Sequence, residues 1–252
     1  MNTPKRINPR FQHNVSLEEH SAELQKNHLL ASLPFEERRY WTPDLELIYV
    51  SQKKILCEPS QKPTCMFFPT SAIVSLMYVT LDGASSEIAV IGNDGAVGMS
   101  LFMTDSHTLH QSLVHSSGKG FRLSAAATKN VLKRGGPMLE TLLSYSQKFI
   151  VQVTQNSASN RHYSIEQRLS RRLLLSLDRG SSNDLKLTHE LLANILGIRR
   201  ESVTEAALKL QQSGAIRYSR GNITILDRNK LEQSCTECYT GLDDDHHQQA
   251  YG

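Results

Sequence analysis

The stretch Leu187-Thr188-His189-Glu190-Leu191-Leu192-Ala193-Asn194-Ile195-Leu196-Gly197-Ile198-Arg199-Arg200-Glu201-Ser202-Val203-Thr204-Glu205-Ala206-Ala207-Leu208 decides how this chain is read. Thr188 is a good N-cap for a first helix, because its hydroxyl can accept from the N–H groups left open there. Ala193 is small enough to let a second helix cross closely. Gly197 allows the left-handed turn conformation that other residues adopt only with strain. Val203 falls on the inner face of the second helix, with Ala207 and Leu210 one and two turns on. Alanine, then glycine four residues later, then valine six further, is the steric signature of a helix-turn-helix. The alternative is an ordinary helical hairpin with a solvated charged face.

What surrounds the motif favours the first reading. The outward face of the second helix carries Arg199, Arg200, Glu201, Ser202 and Glu205. Arginine can donate bidentately to guanine O6 and N7, and glutamate can accept from cytosine N4. Thr188 and His189, where the first helix starts, are further candidate DNA contacts. Beyond Ser213-Gly214, the run from Ala215 to Leu226 predicts two short strands around Ser219-Arg220-Gly221-Asn222. Such a hairpin is a wing, offering Arg217 and Arg220 to phosphates.

Charge points the same way. The 252 residues carry a net charge of only +3. Between Arg161 and Lys230 there are 13 Lys or Arg against 7 Asp or Glu, and from Leu231 on there are 5 acids and no Lys or Arg. A basic segment in a nearly neutral chain suggests a polyanion partner, although basic faces are often merely solvated. The length suits two small domains, each able to bury a core. No apolar run approaches the ~20 residues needed to cross a bilayer, and Met1 to Gln12 lacks the apolar stretch of a secretory signal. A cytoplasmic protein with no membrane contact is expected. Cys57, Cys65, Cys235 and Cys238 are too few for a disulfide framework.

Upstream of the motif the texture changes twice. Asn27 reads as an N-cap before His28 to Leu33, and Pro34 can open a second short helix ending near Trp41. From Leu45 to about Leu123, short β-type runs alternate with turn residues such as Asp82-Gly83, which implies a sandwich or jelly roll. After Gly135-Gly136-Pro137, Leu139, Leu142, Leu143, Phe149, Ile150 and Val153 recur at helical spacing. That stripe is expected to close a homodimer, since its length and near-heptad register suit a helix–helix seam. A further helix, about Ile165 to Leu177, is expected to turn its leucines inward and Arg168, Arg171 and Arg172 outward. The expected architecture is α+β. It comprises a polar tail (1–26), an N-terminal β jelly-roll effector domain (27–135) and a dimerisation helix (136–163). A C-terminal winged helix-turn-helix (164–232) and an acidic tail (233–252) complete it.

From Asn27 to about Leu226 the chain resembles the Crp/Fnr family of cyclic-AMP receptor-like regulators. Leu29-Leu30-Ala31-Ser32-Leu33-Pro34, the jelly roll, Gln152-Val153-Thr154 and Gly197 to Val203 with its wing carry the likeness; Arg200-Glu201 before Val203 is its most specific part. The resemblance implies a homodimer whose cyclic-nucleotide-binding-like domain controls the geometry of two recognition helices. Palindromic double-stranded DNA is the implied partner, and RNA polymerase a further candidate.

The implied effector site departs from the family's nucleotide binders. They carry a Gly-Glu pair, but here Gly95-Ala96-Val97-Gly98-Met99 puts Met99 in place of the acid. They carry Arg-Ser-Ala, but here Gln111-Ser112-Leu113 supplies no cation, and burying a phosphate without one is costly. Thr154 matches the position from which the dimer helix touches the base. Gly98, Met99, Gln111, Ser112 and Thr154 therefore form a degenerate effector pocket, with cyclic AMP not its expected ligand and the effector unidentified. Glu205 stands where members reading the best-known half-site carry an arginine; a surface pair with Lys209 is its plainer reading.

No cofactor or metal is expected. The family's iron–sulfur branch uses an N-terminal cysteine cluster, and none precedes Cys57. Cys235 and Cys238 make half a metal site and read as surface thiols. His107, His110 and His115 lack a His-x-His arrangement and read as solvated loop residues. A ligand-capturing sensor module and a jelly-roll enzyme are the competing classes. No nucleophile–base set or phosphate loop supports the enzyme.

Overall fold

The computed structural model describes residues 17–103, 107–180, 182–235 and 239. Three short helices open it: α1 (Leu17–Leu24), α2 (His28–Ala31) and α3 (Phe35–Trp41). Asn27 caps α2, its Oδ1 accepting from Leu30 N at 3.1 Å. Its Nδ2 donates to the Pro69 and Gly95 carbonyls at 2.8 and 3.0 Å, so one side chain ties the helix to two loops of the β domain. The polar tail needs correcting at its end. Residues 17–24 are helical, and Leu24 joins Leu30 and Trp41 in a common core. A single buried leucine among charged neighbours gives too weak a period to be read.

Seven strands follow: β1 (Leu45–Val50), β2 (Ile55–Cys57), β3 (Cys65–Pro69), β4 (Ile73–Val79), β5 (Ser85–Ile91), β6 (Gln111–Ser116) and β7 (Gly118–Ser124). Helix α4 (Met99–Met103) lies between β5 and β6. They form two antiparallel sheets, ordered β1-β7-β3 and β2-β6-β4-β5. Successive side chains of a strand face opposite sides. Met66 and Phe68 therefore pack toward the helices, while Phe67 meets Val74, Leu76 and Val114 in a second core. The unbroken run Met66-Phe67-Phe68 is what a strand covered on both faces requires.

Helix α5 (Ala125–Arg134) leads to α6 (Pro137–His162), whose 26 residues are about 39 Å long. The expected dimer stripe on α6 divides. Leu139 and Leu142 pack into the helical-side core, and Phe149 and Val153 against the inter-sheet core. These four pack against their own chain. Leu143 and Ile150 remain 55% and 53% exposed.

The rest is α7 (Ile165–Arg179), β8 (Asp184–Leu185), α8 (His189–Leu196), α9 (Arg200–Gln212), β9 (Ile216–Ser219), β10 (Asn222–Ile225) and α10 (Arg228–Ser234). Ser164 and Gln167 start α7 with a reciprocal capping box. Leu169, Leu173 and Leu174 pack with Leu192, Val203 and Leu210 beneath the three-stranded wing β8-β10-β9. The acidic tail also needs correcting at its start. Cys235 is fully buried, its thiol donating to Leu231 O at 3.2 Å, and Tyr239 donates to the Asp178 carboxylate. Cys238 and residues 240–252 lie outside the described residues.

The other face of α7 overturns two expectations. Arg171 and Arg172 are not outward but buried, with Arg179 beside them, where α7 meets the β2-β6-β4-β5 sheet; Arg168 is half-buried and donates to Leu196 O. Arg172 Nη2 donates to Glu87 Oε2 at 3.0 Å, with Nε 2.7 Å from Oε1. Arg179 Nη2 reaches Asp94 Oδ2 at 2.7 Å. A Cβ at Gly92 would lie 2.5 Å from Arg179 Cβ, so only glycine lets that arginine pass.

His115 is likewise no loop histidine. It is buried on β6, with Nδ1 3.0 Å from Ser75 Oγ, whose hydroxyl also serves Glu87. Burial, then the Arg172 and Arg179 guanidinium groups, hold its imidazole well below the usual 6.5. The folded protein refuses a proton that the unfolded chain accepts below pH ~6.5, so stability should fall as pH drops through that value. His110 and His189, also lowered, act in the same direction. His115→Gln should shrink the drop in urea midpoint between about pH 7 and about pH 5. An undiminished drop would place its source elsewhere.

Candidate nucleic-acid interface

Thr188 Oγ1 accepts from Leu191 N at 3.1 Å and so fixes where α8 begins. Gly197 ends the helix in the left-handed region, at φ 64° and ψ 40°. Its N–H bonds Ala193 O, and the chain turns directly into α9. Val203, Ala206, Ala207 and Leu210 form the inner face of α9, which leaves Arg199, Arg200, Glu201 and Glu205 exposed and Ser202 half-buried on the other. Thr204 and Lys209 share that outer face and were missed. The wing tip bends at Arg220 and Gly221, both left-handed at φ 47° and 81°. Arg217 and Arg220 are exposed on it.

His189 does not join this face. Its ring is buried, stacked on Tyr218 at 4.0 Å, with Nδ1 3.0 Å from Thr204 Oγ1. Thr204 donates its hydroxyl proton to Arg200 O at 3.1 Å, so the ring must donate from Nδ1. Burial and then Arg200 lower its pKa, keeping it neutral. His189 therefore clamps the wing to the start of α9 and sets the backbone that carries Arg200. Thr188 acts as a cap.

The basic excess of the segment is smaller at the surface than in the sequence. Arg172 and Arg179 are paired internally, and Arg228 with Asp178 and Glu232. Among the described residues Glu205 has no ion pair with Lys209, leaving its carboxylate open to solvent.

The residues assigned to an effector pocket do not converge. Gly98 and Ser112 line a cavity of about 200 Å³ in the β domain, together with Cys57, Cys65 and His110. Met99 instead packs into the helical-side core, Gln111 donates to Glu58 at 2.9 Å, and Thr154 is exposed on α6. The cavity does have cations at its wall, Lys54 and Arg122, neither of which lies in the Gln111-Ser112-Leu113 stretch. Arg122 is tied to Glu46. Burial raises the Cys57 and Cys65 thiols, so both stay protonated near neutrality.

Residues 167–234 match the sequence family of the Crp-like helix-turn-helix domain. No curated protein matches the chain significantly. Solved structures share its fold at low identity. A protein described as a Crp/Fnr-family transcriptional regulator from Eubacterium rectale is 21% identical, with TM-score 0.65, over 83% of this chain and 98% of its own. A Crp/Fnr-family transcriptional regulator from Thermus thermophilus is 19% identical, with TM-score 0.62, over 77% of this chain and 100% of its own. FixK2 from Bradyrhizobium japonicum is 11% identical, with TM-score 0.64, over 76% and 97%. Among the described residues no helix is long and apolar enough to cross a membrane.

Proposed function

We propose that this chain, a DNA-binding transcription regulator of the Crp/Fnr type, works as a homodimer that sets two copies of α9 into successive major grooves of a palindromic site. The observation that carries the reading is the contrast among its arginines. Those of α7 are buried or half-buried, whereas Arg199 and Arg200 stand exposed at the start of α9, just past the Gly197 turn. Two-fold symmetry then calls for half-sites ~34 Å apart, one turn of DNA. A cytoplasmic address follows from such a partner.

The exposed seam of α6 supports the dimer. Leu143, Gln147, Ile150 and Thr154 are spaced four, three and four residues apart, as in a heptad, and all are exposed. Phe149 belongs to the protomer's own core, so Ile150 is the informative position.

On this reading the β domain does not use cyclic AMP. Its cavity of about 200 Å³ lies below the ~300 Å³ at which ordinary small-molecule sites begin. Gly98 presents no acid there for a ribose. Sedimentation at micromolar concentration should give a dimer with or without cyclic AMP, and Ile150→Asp should shift it toward monomer. A monomeric unmodified protein would sink the dimer, and dimerisation that depends on cyclic AMP would sink the ligand reading.

A further inference from the structure

A larger cavity, of about 500 Å³, lies where α2 and α6 meet α7, at the junction of the β domain with the helix-turn-helix domain. Its size is ordinary for small-molecule sites, and domain junctions are where such sites concentrate. No part of the DNA-binding reading uses it.

Its walls are polar and weighted toward positive charge. Lys148 comes from α6 and Arg171 and Arg179 from α7, against Asp94 and Glu140; His28 of α2 adds a polar ring. Asp94 is already paired with Arg179. Arg179 is only 4% exposed, its Nη1 donating to Leu175 O at 3.2 Å. Its Nε–H is buried with no hydrogen-bond partner among the described residues. Arg171 is 6% exposed and donates to Asn156 Oδ1. Guanidinium groups held out of water in this way bind carboxylate or phosphate oxygens more strongly than solvated ones do.

We propose that this cavity binds a small oxyanion metabolite, whose phosphate or carboxylate groups meet Lys148, Arg171 and Arg179. An anion beside Arg179 competes with Asp94 for the same guanidinium. Occupancy thereby bears on the contact that docks α7 to the β domain.

The test is thermal melting of the full chain with no DNA present, so its outcome is separate from the DNA-binding reading. Pyrophosphate and citrate, each at millimolar concentration against sodium chloride of equal ionic strength, are the probes. At least one should raise Tm; which one does tells phosphate from carboxylate. Lys148→Glu should weaken the apparent affinity about tenfold or more. Ser144→Trp, which fills the cavity from an exposed position without changing charge, should do the same. Lys133→Glu, the same charge reversal at an exposed position of α5 that does not line the cavity, should leave the rise intact. No rise with either probe would overturn the proposal. So would a rise that survives Lys148→Glu or Ser144→Trp, or one that Lys133→Glu also removes.

Discussion

Glu87→Ala should destabilise the folded protein by about 3–5 kcal/mol, the largest loss expected from any single change outside the leucine cores. The reason lies in what the variant leaves behind. Arg172 and Glu87 have side chains only 3% exposed, and they join α7 to β5 across the two domains. Each ion gave up its hydration to be there, and removing the carboxylate leaves a buried guanidinium with no counter-charge. Ser75 and His115 cannot replace it, because a neutral hydroxyl and a neutral imidazole carry no negative charge. Replacing both partners by apolar residues, Glu87→Leu with Arg172→Met, should be much milder than the single change. Urea denaturation of the three variants checks this. A loss below ~1 kcal/mol in Glu87→Ala would mean that water reaches the pair and screens it. The single variant should also separate the melting of the two domains, since the pair is one of the contacts that couples them.

The second large effect concerns DNA. Arg200→Ala should weaken binding to the specific site by about 1–3 kcal/mol and flatten discrimination at one base pair. The side chain leaves the first turn of α9, where a recognition helix meets base edges. Arg220 sits on the wing tip, where a phosphate and not a base edge is the expected contact. Arg220→Ala should therefore weaken all sequences alike and reduce the salt slope by about one. Titrations of specific and scrambled duplexes at several salt concentrations separate the two. Equal losses on every sequence from both variants would mean that α9 does not read bases.

The sequence was informative where a residue's role is local. Ala193, Gly197 and Val203 announce a close helix crossing and a left-handed turn because few other residues tolerate them. Asn27 and Thr188 announce helix starts through bonds made within three residues. It was misleading where the role depends on a distant partner. Arg172 reads as a surface charge until Glu87, 85 residues earlier, is brought against it, and Arg171 until Asn156 is. Composition counts charges and not pairs, so the basic excess overstated the DNA-facing surface. His189 went astray for the same reason, since Thr204 and Tyr218 reach it from α9 and β9. The α6 stripe posed a different problem. Periodicity identifies an apolar face, yet it cannot say whether that face meets its own β domain or a second copy. Leu139, Leu142, Phe149 and Val153 went to the first, which leaves Leu143 and Ile150 as the exposed part of the stripe. Only part of the expected effector pocket meets the β-domain cavity, because successive side chains of β6 face opposite sides. Ser112 lines it, while Gln111 turns to Glu58.

Selection from a random pool of duplex DNA tests the central claim most directly. The account predicts enrichment of a two-fold symmetric sequence with half-sites one helical turn apart. It also predicts that the base pair facing Glu205 differs from the half-site usual where an arginine stands, because a carboxylate accepts and cannot donate. Glu205→Arg should then shift the preference at that pair alone. Retention of DNA with no enriched sequence, or an enriched site lacking two-fold symmetry, would contradict the account.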